Sequence, residues 1–180
     1  VAHKVGPAIA AGCPVVLKPA MQTPFSAILL ARLLLEECGL PPGYLQIVTG
    51  GGTSVGGALV DNPDVALITF TGSPEVGWSI RAKAPRKRVG LELGNNAPVI
   101  IDADGDWQAA VAKIKTAGFS HAGQWCISTQ RRLVHASLVE AVSDALVEAV
   151  ETLVVGDPMD ESTDVSALIS TGERDRVKSW

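Results

Sequence analysis

Val65-Ala66-Leu67-Ile68-Thr69-Phe70-Thr71-Gly72-Ser73-Pro74 reads as a strand, a tight turn and the start of a helix. Residues 65–70 are an apolar run rich in β-formers, Thr71-Gly72-Ser73 is the turn, and Pro74 has its φ preset for a first helical position. On the C-terminal side, residues 88–93 form the next strand. On the N-terminal side the alternation repeats. A short helix covers residues 5–11, and residues 14–19 are a strand that ends in Lys18. Thr23-Pro24 opens a helix with Thr23 as N-cap; it runs to about Cys38, where Gly39 stops it. Residues 45–48 are a further strand, and Gly50-Gly51-Gly52-Thr53-Ser54-Val55-Gly56 bends into a helix through Val60. Strands alternating with helices predict an α/β fold with a parallel sheet covered on both faces.

Beyond Gly94 a second such unit follows. Residues 98–101 are a strand, 106–121 a helix and 130–135 a strand. Residues 137–153 are a long amphipathic helix, with Ser137 and Glu140 at the spacing of a capping box. The domain boundary is expected near Gly94. Val1 stands where a start methionine would, and residues 171–180 read as a helix without a C-cap. The chain therefore reads as an internal piece of a longer protein.

The 180 residues are 47% hydrophobic and 19% charged, a globular composition. A net charge of −4 argues against nucleic acid or an anionic membrane as partner. The basic run Arg81, Lys83, Arg86, Lys87, Arg88 reads as a solvated helix end and loop. No apolar run approaches the roughly 20 residues of a membrane span. Three cysteines without paired spacing fit a reducing, cytoplasmic setting. His3, His121 and His135 lack ligand spacing, so no metal site is expected.

Chemistry concentrates at two places. Cys126, in Gly123-Gln124-Trp125-Cys126-Ile127-Ser128, lies at a helix-to-strand junction, where a thiol can face a cleft. Glu92 ends a buried-looking strand just before Gly94. Together they suggest a thiol nucleophile with a carboxylate base. Cys13 and Cys38 sit among apolar residues and read as small core side chains. Ligands of α/β sheets bind outside the carboxyl ends of the strands. Lys18, the loop containing Gly52 and Gly56, and Thr71-Gly72-Ser73 fall there. The glycine loop misses the dinucleotide fingerprint by one place and lacks the lysine of a P-loop, so tight turn and nucleotide contact both stay open. Ser73 reads as a phosphate contact at a helix N-terminus or as a plain N-cap. Trp125 walls an acyl pocket or simply packs.

Taken together these motifs resemble the aldehyde dehydrogenase superfamily. The resemblance rests on Lys4-Val5-Gly6-Pro7-Ala8, Val16-Leu17-Lys18-Pro19-Ala20, Gln22-Thr23-Pro24, Phe70-Thr71-Gly72-Ser73, Glu92-Leu93-Gly94, Gly123-Gln124-Trp125-Cys126 and Val155-Gly156-Asp157-Pro158. It runs through the whole chain and matches the middle part of a family member. It implies a Rossmann-like cofactor-binding part, residues 1–94, followed by part of an α/β catalytic domain, residues 95–180. The implied reaction oxidises a small aldehyde to a carboxylic acid with NAD or NADP. Cys126 would form the thiohemiacetal and then a thioester, Glu92 would activate water to hydrolyse it, and Lys4 matches a lysine kept close to the site. The backbone N–H of Cys126 would be one oxyanion donor. Lys18 would bind the adenosine ribose with Met21 beside it, Ser73 the diphosphate, and Leu93 the nicotinamide side. The full-length protein is expected to be a homo-oligomer. Asn95 departs from a common glycine, and Ser166-Ala167 from a common Gly-Pro. A family asparagine expected just before residue 1, and the C-terminal half, lie outside this sequence. A non-catalytic remnant of the fold, or a dehydrogenase that hands its thioester to coenzyme A, are the alternatives; the carboxylate of Glu92 disfavours the latter.

Overall fold

The computed structural model describes residues 1–180, arranged as two compact units, Val1–Glu92 and Leu93–Trp180. Both are α/β with parallel pairing. The strands form three separate two-stranded sheets.

In the first unit, α1 (Ala2–Ala10) leads to β1 (Val15–Leu17), which pairs in parallel with β2 (Leu45–Ile47). The intervening α2 (Phe25–Arg32) runs on as a π turn, Leu33–Glu37. Pro24, not Thr23, is its N-cap, and no side chain caps it. Val5 of α1, Ala31 of α2 and Leu45 of β2 are buried together, with Ile9, Val15, Leu17 and Ile47 packed around them. After β2 a π turn, Gly52–Gly56, feeds α3 (Gly57–Asp61). Next come β3 (Leu67–Thr71), α4 (Pro74–Lys83) and β4 (Arg88–Glu92). β3 and β4 are parallel, with Thr69 opposite Gly90 and Thr71 opposite Glu92. Lys87 is less free than a solvated charge run predicts. Its ammonium donates to the carbonyls of Val60 (2.6 Å) and Asn62 (2.5 Å) and so closes the end of α3.

The second unit pairs β5 (Ala97–Ile101) with β6 (Thr129–Val134) in parallel, with a register shift between Ala97 and Pro98. Asp106 caps α5 (Trp107–Phe119) by accepting from the N–H of Ala109 at 3.0 Å. α5 packs on α6 (Val139–Glu151) through Val111, Ile114, Val142 and Leu146, with Ile101 beneath them. Those spacings place one apolar stripe of each helix against the other. The capping box expected at Ser137 does not form. A 3-10 turn, Ala136–Leu138, precedes the helix instead and is capped by His135, whose Nδ1 accepts from the N–H of Ser137 at 3.3 Å; α6 itself has no side-chain cap. α7 (Thr171–Lys178) is capped at its start by Ser170, whose hydroxyl accepts from the N–H of Glu173 at 3.2 Å.

Two further expectations are corrected. Within this chain the parallel strands are not covered on both faces: Val16, Leu67, Ile100 and Leu133 are exposed. Cys13 and Cys38 are not core residues. All three thiols are exposed, Cys13 in the turn after α1 and Cys38 at the end of the π turn after α2. Apolar sequence neighbours do not bury a side chain that falls where the chain leaves its helix.

Candidate active site

Alternation along β3 and β4 sets the first cluster. Thr69 and Thr71 are exposed on β3, and Gly90 and Glu92 are exposed on β4. With the register above, these residues share one face. Within this chain Glu92 therefore ends a strand with one open face. Lys4 reaches this face from α1, its ammonium donating to the hydroxyl of Thr69 at 2.7 Å. Thr69 was not singled out in the sequence; its strand parity with Thr71 was the available signal. Gly72 donates its N–H to the carbonyl of Glu92 at 3.1 Å, tying the turn after β3 to the last residue of β4. A Cβ on Gly72 would lie 2.5 Å from the ring of Phe70, so a side chain there requires the ring to move. Ser73 caps α4, its hydroxyl accepting from the N–H of Val76 at 3.4 Å. Its hydroxyl is thus used as an N-cap, while the positive end of the α4 dipole lies at the carboxyl end of β3.

The second cluster follows β1 and β2. Lys18 is half-buried, and its ammonium donates to the carbonyl of Pro19 at 2.7 Å. Its side-chain stem passes 3.9 Å from where a Cβ on Gly56 would be, so Lys18 and the glycine turn come together. Gly52 opens that turn with nothing within 4 Å of its Cβ position. Met21 is 65% exposed in a bend beyond Lys18. These positions, all at carboxyl ends of parallel strands, fit a dinucleotide: an open glycine turn, a lysine beside it and a helix N-terminus.

In the second unit, α5 gives way to a 3-10 turn, Ser120–Gly123. His121, Ala122 and Gly123 all have positive φ, at 54°, 56° and 73°. For His121 and Ala122 this left-handed backbone is costly, and such strain gathers at functional sites. Several contacts hold it. The indole of Trp125 stacks on the imidazole of His121, with centroids 4.5 Å apart. Gln124 donates through Nε2 to the carbonyl of His121 at 2.9 Å and accepts from the N–H of Ile169 at 2.9 Å. Cys126 then lies in a turn closed by the Ser128 N–H on the Trp125 carbonyl at 3.1 Å. Asn95 donates through Nδ2 to the carbonyl of Cys126, and its Oδ1 accepts from the N–H of Ala97 at 2.5 Å. The thiol is exposed, and the N–H of Cys126 has no partner within the chain. Ser128 is buried with its hydroxyl unpaired. Leu93 is half-buried at the start of this unit. Sequence reading found Cys126 but not the brace: Gln124 was legible only as part of a motif, and Asn95 only as a departure.

Fold and positions define an α/β protein with a Rossmann-like cofactor-binding region followed by further α/β elements. The sequence model of the aldehyde dehydrogenase family matches residues 1–180, and the chain belongs to that family. It is 51% identical over 180 residues to the 3-sulfolactaldehyde dehydrogenase of Priestia aryabhattai, covering 100% of this chain and 38% of that protein. It is 41% identical over 171 residues to the NADP(+) succinate-semialdehyde dehydrogenase of Escherichia coli, covering 94% of this chain and 35% of that one. Among solved structures, the NAD-dependent aldehyde dehydrogenase from Sinorhizobium meliloti superposes with a TM-score of 0.92 at 41% identity, over 97% of this chain and 35% of that one. The chain thus spans less than two-fifths of the length of these relatives.

Proposed function

We propose that this chain is part of an NAD- or NADP-dependent dehydrogenase that oxidises a small aldehyde to its acid. The observation that carries the reading is the exposed Cys126 thiol on a strained, braced turn, with its own N–H free. The thiolate of Cys126 adds to the aldehyde carbon, and the oxygen that becomes negative is met by the Cys126 N–H. Lys18, Gly52 and Gly56, and Thr71, Gly72 and Ser73, hold the cofactor, with Met21 beside the ribose and Leu93 on the nicotinamide side. NAD or NADP, when bound, supplies the two-electron acceptor. The names of the relatives support both cofactors: one is NADP-dependent, another NAD-dependent. At the acyl-Cys126 stage, Glu92 takes a proton from the attacking water. Lys4, bonded to Thr69 on the face that carries Glu92, lies close to the catalytic centre in this reading. The relatives' substrates, 3-sulfolactaldehyde and succinate semialdehyde, support a small aldehyde. A free catalytic thiol suits a reducing cytoplasm, and the full-length protein is a homo-oligomer in this reading.

The test uses the full-length protein. Glu92→Gln is expected to slow steady-state turnover by about 10²–10⁴-fold, the usual worth of a general base. Mass spectrometry should then find an acyl group accumulated on Cys126. Turnover retained in Cys126→Ser overturns the reading. Thioester passed to coenzyme A rather than water would place the protein in the acylating branch instead.

A further inference from the structure

A cavity of about 490 Å³ lies wholly within the second unit. Trp125 and Ile127, the two neighbours of Cys126, line it. Lys113, Thr116 and Ser120 of α5 and the turn after it line it too. Lys113 and Thr116, at i and i+3, fall on one stripe of α5, where the Thr116 hydroxyl donates to the carbonyl of Ala112 at 3.5 Å, and Ser120 follows at the C-cap. The volume is within the usual range of small-ligand sites, roughly 300–1,000 Å³.

Its charge is one-sided. Lys113 forms no ion pair, and no carboxylate lines the cavity. Three and four residues away on the helix are Ala110, Ala109, Thr116 and Ala117, none of them acidic. Lys115 differs, since its ammonium is taken up by the hydroxyl of Thr152 at 2.7 Å. The cavity therefore has on one wall the two residues that flank Cys126 in the chain, and on the other an uncompensated cation with the Ser120 hydroxyl near it.

We propose that this stripe is the specificity site for the far end of the substrate, and that it selects aldehydes with an anionic tail. The proposal rests on the dehydrogenase reading above. Lys113 pairs with a carboxylate or sulfonate, and the hydroxyl of Ser120 donates to one of its remaining oxygens. Trp125 and Ile127 pack on the carbons between tail and aldehyde.

The experiment compares kcat/KM of the full-length protein for succinic semialdehyde, a sulfonate-tailed aldehyde of equal length, and uncharged butanal. Wild type is expected to favour an anionic substrate over butanal by about tenfold or more, as expected for a partly desolvated ion pair. Lys113→Met should remove about tenfold of that ratio, and Lys113→Arg should retain it. The better of the two anions identifies the tail. Wild-type indifference to the charge overturns the proposal. So does a Lys113→Met variant that slows all three aldehydes in proportion, the mark of a structural role. Oxidation of none of the three by wild type overturns this proposal and the dehydrogenase reading together, whereas turnover with an unmoved ratio overturns this proposal alone.

Discussion

Lys18 spends one of its three N–H donors on the carbonyl of Pro19, which leaves it able to meet an anion beside Gly56. Met21, next in that bend, is exposed and carries no charge. A carboxylate at Met21 would accept from ribose hydroxyls and repel a 2′-phosphate, whereas a thioether does neither. In the proposed cofactor site, NADP should therefore be accepted at least comparably to NAD. Met21→Glu should shift the ratio of kcat/KM toward NAD by about tenfold, on the order of a partly exposed charge interaction. Steady-state kinetics with both cofactors decides it, and a wild-type preference for NAD above tenfold would sink the argument. At Cys126 the same scale has a different lesson. With Cys13 and Cys38 exposed as well, exposure by itself does not single out the nucleophile; its surroundings do. His121 and Ala122 hold costly left-handed backbone immediately before it, and Asn95 grips its carbonyl.

Among elements, the glycine turn after β2 is the most demanding. Gly50 has φ +145°, and a Cβ there would lie 2.4 Å from Cγ2 of Val55. Both the backbone region and the contact exclude a side chain. Val55 and Gly56 both donate their N–H groups to the carbonyl of Gly51, at 3.0 and 3.2 Å, so the turn is wound tightly enough to bring Val55 back over Gly50. Gly50→Ala should destabilise the first unit by about 1–3 kcal/mol. A fall in the thermal midpoint of the full-length protein reads this, and an unchanged midpoint would refute the steric account. The glycine pattern was ambiguous in sequence because its spacing matches no phosphate loop. Its backbone geometry explains the glycine at Gly50 without any ligand, while the open space around Gly52 is what the cofactor reading uses.

For the molecule as a whole, the fully buried apolar set is small in each unit. The second rests on Ile101, Val111, Ile114, Val142 and Leu146. Leu146 is 4% exposed and sits at the centre of the α5–α6 seam. Leu146→Ala should cost about 2–5 kcal/mol, seen as a lower urea midpoint for the second unit in the full-length protein. A loss below about 1 kcal/mol would mean that the seam collapses around the gap. Sequence alone determined the order and type of the main elements, because short apolar runs of β-formers, the Gly39 stop and the Pro74 start are local signals that survive in any context. It also determined the family, through short motifs whose residues are read one by one. Tertiary structure decided the rest. Whether Glu92 ends a buried or an open strand depends on what lies across the β3–β4 face, and that is not written in β4. His135 caps the 3-10 turn before α6 because the chain leaves β6 with the imidazole already beside the Ser137 N–H, and α6 itself starts without a side-chain cap. Lys113 turned from an ordinary helix cation into the one charge of a cavity only when the Cys126 turn folded back along α5. Pairings between residues far apart in the chain depend on backbone path, and no local preference encodes that path.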